Sequence, residues 1–253
     1  MIEIQKTPAS HGLLWIRHGY RLIMRSPLKA VSLAMVFVLL LRVVFILPVE
    51  LVLLGMLASP VIFAGYMQVC RALEYSQKVE PLFIFAGFKS RTAQLILLGG
   101  MMLLGMIVVT LIFLVISWES LNAIYTTYGK DLTPALLMEA MLKPGSGMLP
   151  GLMVGFVLMQ GLFYAMQFAT MLIFFDLESP LAAFKTSARA IAKNIIPLSV
   201  YVFLLQLLSL VVSPLPRILG LLILLPIGLT SIYVAYRDIF SQVNNPAKAE
   251  EGS

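Results

Sequence analysis

Two apolar runs that follow one another almost without a break constrain the fold of this chain most strongly. They cover residues 28–47 and 49–70, and only Pro48 separates them. Each run is as long as the ~20 residues that a helix needs to cross a hydrocarbon layer of roughly 30 Å. A single proline leaves no room for a soluble connection. The sequence therefore predicts a transmembrane hairpin that turns at Pro48.

The overall composition excludes an ordinary soluble protein. Apolar residues make up 60% of the 253 residues and charged residues 12%, with a mean hydropathy of +0.96, whereas soluble domains carry roughly 25% charged residues. The net charge of +6 comes from Lys and Arg residues that flank the apolar runs and form no block, so we expect no nucleic-acid partner. We predict one helical membrane domain over residues 1–243 and a disordered polar tail over 244–253.

Six runs have the length and apolarity of spanning helices, so we predict an all-α integral membrane bundle of six transmembrane helices. The predicted spans cover residues 28–47, 49–70, 93–117, 149–175, 195–212 and 215–236. The residues before the first span lack the apolar core of a cleavable signal peptide, so we expect that span to be retained.

Two shorter segments, residues 10–25 and 180–193, are predicted to form basic amphipathic helices. In the first, His18, Arg21 and Arg25 share one face, opposite an apolar and aromatic-rich face. Such a helix suits the lipid headgroup layer. In the alternative interpretation, helix 10–25 packs on the cytoplasmic end of the bundle itself, and the sequence favours neither.

The distribution of basic residues predicts the orientation of the chain. Most Lys and Arg residues fall in segments on the N-terminal side of the membrane, whereas Lys130, Lys143 and Arg217 fall on the opposite side. The positive-inside rule therefore places both termini in the cytoplasm.

The two ends of the chain also predict an internal repeat. When the sequence is compared with itself at an offset of about 167 residues, six pairs align. They are Pro48 with Pro214, Pro60 with Pro226, Arg71 with Arg237, Arg21 with Arg189, Arg25 with Lys193, and Ser26 with Asn194. Both copies start on the same side of the membrane, so the repeat is expected to be parallel. Prolines in corresponding spans mark transport sites in some membrane proteins, but they also shape helix packing, and packing is the plainer explanation here.

Ionisable side chains in or beside the spans are candidate functional residues, because charge is costly in a bilayer. We predict an outer group at the hairpin turns, and an inner group at the opposite ends of the spans. The outer group is Arg42, Glu50 and Arg217, and the inner group is Asp176, Glu178, Arg71 and Arg237. The inner acids follow the C-terminal end of a helix, where the dipole disfavours negative charge, so basic partners are expected. Each group is either a structural ion pair or part of a site.

The fourth predicted span carries polar residues on one face. Gln160, Tyr164 and Gln167 recur at i, i+4 and i+7, and Gly151 and Gly155 form a GxxxG motif. Polar side chains in lipid face protein or a cavity, and small residues allow close helix contact, so this span is predicted to be central. In the alternative interpretation the three polar residues line a solute path.

No sequence pattern predicts a metal, a cofactor or a catalytic centre. His11 and His18 lie seven residues apart on the first amphipathic helix and are expected to have no acidic ligand nearby, so no metal site is predicted. We find no Walker-type loop, GxSxG elbow or HExxH motif. The single cysteine, Cys70, excludes an intrachain disulfide. We therefore expect no cofactor and no enzymatic activity.

Three stretches resemble known families of bacterial membrane proteins. FFDLESPLAAFKTSARAIAKN is similar to a segment of YciC-type proteins and of the membrane domain attached to some glycerophosphodiester phosphodiesterases. WIRHGYRLIMRSP and LFIFAGF resemble a family of uncharacterised bacterial inner-membrane proteins. The resemblance implies a multi-pass protein of the bacterial inner membrane. The phosphodiesterase barrel is absent from the chain, so its catalysis is not implied.

Together these patterns predict a non-catalytic inner-membrane protein that acts as a scaffold, an assembly factor or an accessory partner. The small polar content of the spans motivates this choice. The alternative is a small-solute transporter or a lipid-handling protein, which the paired prolines and the basic helices favour. Expected partners are anionic lipid headgroups at the cytoplasmic face, and either another membrane protein or a second copy of the chain.

Overall fold

The computed structural model describes residues 3–46, 49–143 and 145–241, without the side chains of residues 43–51 and 241. The predicted turn at Pro48, the side chain of Glu50 and the predicted tail over residues 244–253 lie outside this description. Within it the fold is all-helical apart from one pair of two-residue strands, which confirms the predicted class.

The helices of the described chain comprise long apolar segments and shorter ones. They are α1 (His11–Met24), α2 (Pro27–Ile46), α3 (Val49–Glu74), α4 (Ala86–Lys89), α5 (Thr92–Ile116), α6 (Trp118–Tyr128), α7 (Pro134–Leu142), α8 (Leu149–Phe175), α9 (Pro180–Lys193), α10 (Ile195–Val212) and α11 (Arg217–Ile239). Short 3₁₀ helices cover Pro81–Phe85 and Gly129–Asp131, and the strands are β1 (Glu3–Ile4) and β2 (Phe240–Ser241).

Five helices are long and apolar enough to cross a membrane. These segments are Val52–Glu74, Thr92–Ile116, Leu149–Asp176, Ile195–Val212 and Arg217–Ile239. A sixth span is obtained only if α1 and the segment Pro27–Arg42 are taken together across a bend of 108°. The structure thus supports a multi-pass membrane protein with five to six candidate spans.

The chain forms two compact units, whose boundaries fall within α5 and α8. The first consists of Met1–Gly99 and Ala165–Ser253, and the second of Gly100–Tyr164. The second unit exposes most of its long apolar side chains: only 17% of the most apolar window of α5, and likewise of α8, is buried inside the protein. Such a surface is compatible with hydrocarbon, since both segments satisfy their backbone groups as helices.

In the second unit, α8 packs closely on the end of α5 through a glycine. A Cβ atom on Gly151 would lie 1.9 Å from the Ser117 hydroxyl, whereas one on Gly155 would make ordinary contact with Phe113. Ile124 of α6, Ala140 of α7 and the buried Met148 form the small core of this unit. Gly151 is therefore the member of the GxxxG motif that the helix contact requires.

In the first unit, α1 packs on α10 and α11 through two glycines. A Cβ on Gly12 would lie 2.7 Å from the carbonyl oxygen of Pro197, and one on Gly19 would lie 2.7 Å from the backbone nitrogen of Ser231. Between them the buried ring of Trp15 meets Tyr201 edge to face, with ring centroids 6.0 Å apart. Larger residues at the two glycine positions would hold the helix backbones apart.

The segment Pro81–Lys89, which contains the LFIFAGF stretch, packs against α3 in the same way. A Cβ on Gly65 would lie 1.9 Å from the Ile84 carbonyl oxygen, and one on Gly87 would lie 2.1 Å from that of Val61. The backbones of the two segments are therefore in direct contact, which no residue with a side chain at either position would allow.

The residues before α1 are held by one buried amide. Asn194, at the end of α9, accepts hydrogen bonds from the backbone N–H of Thr7 at 2.8 Å and from its hydroxyl at 3.0 Å, and it donates to the Gln5 carbonyl at 2.9 Å. The Gln5 N–H donates to the Ile239 carbonyl at 2.9 Å, next to the antiparallel pairing of β1 with β2. The first residues of the described chain are thus joined both to the end of α9 and to the end of α11.

Candidate functional site

The exposed side of α1 carries the charged residues of the candidate site. Residues 12, 15, 19, 22 and 23 of α1 are buried, because apolar residues spaced three and four apart lie on one face of a helix. His18 and Arg21 fall on the other side and are exposed, as is Arg25 just after the helix. The amphipathic pattern of α1 therefore produces a packed face and a basic edge.

Arg25 caps the end of α3. Its guanidinium donates a hydrogen bond of 3.0 Å to the Leu73 carbonyl and another to the carbonyl of Glu74. These are among the last carbonyls of α3, which have no partner within their own helix, and a cation there also offsets the helix dipole. The contact fixes the guanidinium of Arg25 beside the ends of α3 and α11.

Glu74 and Arg237 form an ion pair where α3 and α11 end. Arg237 donates to Glu74 Oε2 at 3.0 Å and to the Tyr75 hydroxyl at 2.8 Å, and the Tyr233 hydroxyl donates to the same carboxylate oxygen at 2.6 Å. Each side chain of the ion pair keeps about a third of its surface exposed (28% for Arg237 and 32% for Glu74). The Glu74 carboxylate is therefore both charge-compensated and hydrogen-bonded.

A second carboxylate, Asp238, lies beside α1. The indole N–H of Trp15 donates to Asp238 Oδ2 at 2.7 Å, and His11 Nδ1 lies 2.6 Å from the same oxygen. A carboxylate only accepts, so His11 donates from Nδ1 in this contact. The expectation that the histidines have no acidic neighbour is wrong for His11, because Asp238 lies at the opposite end of the sequence and cannot be linked to it from local sequence.

Two adjoining cavities lie between α1 and α11, and we call them together the α1 cleft. One has a volume of about 280 Å³ and is lined by His18, Arg21, Arg25, Glu74 and Tyr233, among others. The other has a volume of about 240 Å³ and includes His11, Trp15, His18, Arg237 and Asp238. His18 and Val234 line both, so the two cavities are neighbours.

The predicted inner group is distributed over two sets of contacts. The guanidinium of Arg71 lies 5.1 Å from the centroid of the Phe175 ring, a cation–π distance. Asp176 accepts a hydrogen bond from the hydroxyl of Tyr236. Arg237 pairs with Glu74, an acid that the sequence interpretation placed in the following loop and so did not include.

Glu178, the fourth member of the inner group, has a partly buried carboxyl group. Among the described residues, its Oε2 atom is buried without a hydrogen-bond partner. Burial raises the pKa of Glu178 above its ordinary value, the nearby Asp176 raises that pKa further, and a hydrogen bond with Thr186 lowers it. The group is thus held in surroundings that disfavour its charged form.

The outer group is not brought together by the described contacts. Arg42 and Arg217 are both exposed, and within the described part of the chain neither side chain has a hydrogen bond or an ion pair. The side chain of Glu50 lies outside the description. The predicted pairing at this turn therefore stays a prediction.

The polar residues of the fourth predicted span lie along α8 outside the α1 cleft. Gln160, Tyr164 and Gln167 are all half-buried. The ring of Tyr164 packs edge to face on Phe163 at 6.0 Å. Neither cavity of the α1 cleft is lined by any of the three polar residues, so their predicted role as a solute path stays a prediction.

Comparison with known proteins adds no assignment. No protein-family model, no curated protein and no solved structure matches this chain. Within the described residues, no group of three or more His, Cys, Asp or Glu side chains is placed to hold a metal ion. The resemblance to bacterial inner-membrane families therefore stays a prediction from the quoted stretches.

Proposed function

We propose that this protein is a non-catalytic, multi-pass protein of the bacterial inner membrane, a scaffold or accessory factor that sits against anionic lipid headgroups. The observation that carries the proposal is the orientation of α1. This helix is bent by 108° from the segment Pro27–Arg42, so it lies near the membrane plane when α2 crosses the membrane. Its buried face packs on α10 and α11, and its basic edge remains exposed.

The surroundings of α1 support contact with lipid headgroups. Arg17, His18, Arg21 and Arg25 are exposed along one helix, and each basic residue close to an anionic membrane surface contributes about 1 kcal/mol of attraction. The carboxylates near them, Glu74 and Asp238, are engaged by partners within the protein. The basic edge is therefore free to meet negative charge from outside.

We further propose that the two ends of the chain are a parallel repeat. The buried residues of α9 are Pro180, Ala183, Ser187 and Ala190. The alignment that pairs Arg21 with Arg189 places them on positions 12, 15, 19 and 22, which are all buried in α1. Both helices contain 14 residues, and α3 and α11 each contain a proline. Equal spacing of the buried positions favours a duplication over chance similarity of hydropathy.

A lipid-handling role is the second candidate function. The α1 cleft favours it, because this cleft combines an aromatic side chain, Trp15, with several basic residues. The proposed scaffold role requires only surface contact with lipids, whereas lipid handling requires that one lipid molecule be held.

Purification in mild detergent, followed by mass spectrometry of bound lipids and proteins, tests the proposed function. We expect anionic phospholipids to be enriched over their share of the source membrane, and less enriched when Arg17, Arg21 and Arg25 are all replaced by Gln. A comparison variant replaces the exposed Lys185 and Arg189 of α9 by Gln and leaves Lys193, which bonds the Ile4 carbonyl, in place; it should lower the enrichment less. Retained lipids with the composition of the source membrane would contradict the proposal.

A reporter fusion tests the proposed orientation separately. A reporter that is active only in the periplasm, fused after Phe240, is expected to be inactive. An active reporter would show that the C-terminal end lies outside the cytoplasm.

A further inference from the structure

The acidic residues of the α1 cleft are already engaged within the protein. Glu74 Oε2 accepts from Arg237 at 3.0 Å and from Tyr233 at 2.6 Å. Asp238 Oδ2 accepts from Trp15 at 2.7 Å and lies 2.6 Å from His11. Neither carboxylate is therefore an isolated negative charge that would repel an anionic ligand.

The basic residues of the cleft are less fully engaged. In the described part of the chain, neither His18 nor Arg21 has a hydrogen bond or an ion pair, although both line the first cavity. Arg25 is fixed by its bonds to the end of α3, but a guanidinium has five N–H donors and those carbonyls use only some of them. Three side chains of neighbouring turns thus present donors to one cavity.

The charge balance of the cleft is positive. Three arginines, Arg21, Arg25 and Arg237, line it together with two carboxylates, Glu74 and Asp238. One positive charge is left over even when both histidines are neutral. The first cavity, at about 280 Å³, is close to the roughly 300 Å³ at which pockets for whole small molecules begin. It suits a headgroup-sized anion better than an entire lipid.

We infer that the α1 cleft is a specific site for a phosphate ester group, bound by Arg21, His18 and Arg25. Arginine is suited to this ligand, because its planar fork matches the geometry of phosphate oxygens. The phosphate ester could belong to an anionic phospholipid or to a soluble phosphorylated molecule. This inference rests on the proposed headgroup contact, and it adds one defined site to what is otherwise a general surface attraction.

Trp15 provides a nearby probe, because it lines the second cavity of the cleft, which shares His18 with the first. The chain contains two tryptophans, so in a Trp118→Phe background the tryptophan fluorescence comes from Trp15 alone. The full-length protein in neutral detergent is titrated with short-chain phosphatidylglycerol, short-chain phosphatidylcholine or glycerol 3-phosphate. At about 0.5 M salt, long-range attraction between exposed charges is largely screened.

We expect saturable binding of phosphatidylglycerol that Arg21→Gln weakens about tenfold or more, as for the loss of one charge-assisted hydrogen bond. The matched control is Arg17→Gln, which removes an exposed arginine of the same helix outside the cleft and should change the affinity less than twofold. Arg21→Lys should bind with intermediate affinity, because it keeps the charge and loses the fork. Equal thermal stability of the variants excludes a folding defect.

The ligands separate the two sources of phosphate. Binding of phosphatidylglycerol alone assigns the site to a lipid headgroup. Binding of glycerol 3-phosphate with the same dependence on Arg21 assigns it to a phosphate ester in general, and the site would then stand even if the purified protein retained no excess of anionic lipid. Equal weakening by Arg17→Gln and Arg21→Gln would overturn the site and leave the general headgroup contact intact. Absence of saturable binding both by Trp15 fluorescence and by isothermal titration calorimetry would also overturn the site.

Discussion

The two halves that the proposed repeat aligns bury the same helix positions with different side chains. α1 buries Trp15 and two glycines, which bring its backbone against α10 and α11. α9 buries Ala183, Ser187 and Ala190, and it ends in the asparagine that holds the residues before α1. The comparison teaches that one amphipathic pattern can serve both for close helix packing and for holding the residues that precede α1.

The ends of α3 and α11 also differ in the contacts that their corresponding residues make. Arg71 and Arg237 correspond in the proposed repeat. Arg237 pairs with a carboxylate at 3.0 Å, whereas Arg71 lies over an aromatic ring at 5.1 Å. Of the two arginines, Arg237 is the one that lines the α1 cleft. Positions that the proposed repeat would make equivalent therefore have different partners, and one of the two arginines lines the candidate site.

Pro60 in one half and Pro226 in the other also differ in the hydrogen bonds around them. Pro60 lacks the N–H that would bond the Met56 carbonyl, and the Ser59 hydroxyl donates to that carbonyl at 2.8 Å. At Pro226 the nearby hydroxyl of Thr230 bonds the Pro226 carbonyl itself at 2.8 Å. At Pro60, the Ser59 hydroxyl therefore replaces the lost backbone hydrogen bond to the Met56 carbonyl. This agrees with a role of Pro60 in packing.

The largest expected effect concerns Asn194. Asn194→Ala removes the acceptor of the buried N–H and hydroxyl of Thr7 and one donor to the Gln5 carbonyl, and we expect a loss of about 3 kcal/mol or more of unfolding free energy. Hydrogen exchange of residues 3–7 and thermal unfolding in detergent measure it. The corresponding change in the other half, Ser26→Ala, is the control, with an expected effect of less than about 0.5 kcal/mol. Equal losses of unfolding free energy for Asn194→Ala and Ser26→Ala would contradict the proposed difference between residues 26 and 194.

The next largest effect is expected when residues are exchanged between corresponding positions of α1 and α9. Gly19→Ser introduces into α1 the residue that α9 has at the corresponding position 187, and its Cβ would lie 2.7 Å from the backbone nitrogen of Ser231. We expect a loss of roughly 1–3 kcal/mol from overpacking. The converse change, Ser187→Gly, should cost only about 0.5 kcal/mol. Thermal unfolding checks both, and a Gly19→Ser protein as stable as the wild type would show that α1 can move away from α11.

The all-helical class and the long apolar helices could be predicted from the sequence, because the length of an apolar run and the spacing of its residues are properties of one local stretch. The side chains that pair with one another at the candidate site could not be predicted in this way. His11 and Asp238, or Thr7 and Asn194, meet only through the packing of distant helices. Glu74 was missed because the apolar run ends near Cys70 while the helix continues to Glu74. A basic edge was visible, but the cleft behind it depends on how closely Gly19 lets α1 approach α11.

The matched arginines should differ in their contribution to stability. Among the described residues, Arg237→Gln leaves the Glu74 carboxylate with the Tyr233 hydroxyl alone, and we expect a loss of about 1–2 kcal/mol of unfolding free energy, between the values for exposed and buried ion pairs. Arg71→Gln removes the contact with Phe175, at a cost of about 0.5–1 kcal/mol. Chemical or thermal unfolding of both variants in the same detergent ranks them. A larger loss of unfolding free energy for Arg71→Gln than for Arg237→Gln would contradict the expectation that the ion pair stabilises the protein more than the cation–π contact does.

The smallest expected effect is a dependence of stability on pH. It comes from Glu178, just before α9, and has no counterpart at the corresponding position before α1. The alignment that pairs Arg21 with Arg189 places the uncharged Ser10 opposite Glu178. Because burial, and then Asp176, raise the pKa of Glu178 in the folded state, the folded protein binds this proton more tightly than the unfolded chain does. The contribution of Glu178 to stability is therefore most favourable below its unfolded pKa, and it declines as the pH rises through the folded pKa.

Glu178→Gln removes that titration and isolates its effect. The variant should unfold at a slightly higher temperature than the wild type at pH 7 to 8, because the charged carboxylate is no longer held in surroundings that disfavour it. The difference should shrink as the pH is lowered through the folded pKa, since the wild-type group then becomes neutral as well. Glu139→Gln, at an exposed glutamate of α7, is the control for the substitution itself. A gap that stayed constant with pH would assign the effect to the changed contacts of residue 178 rather than to its charge.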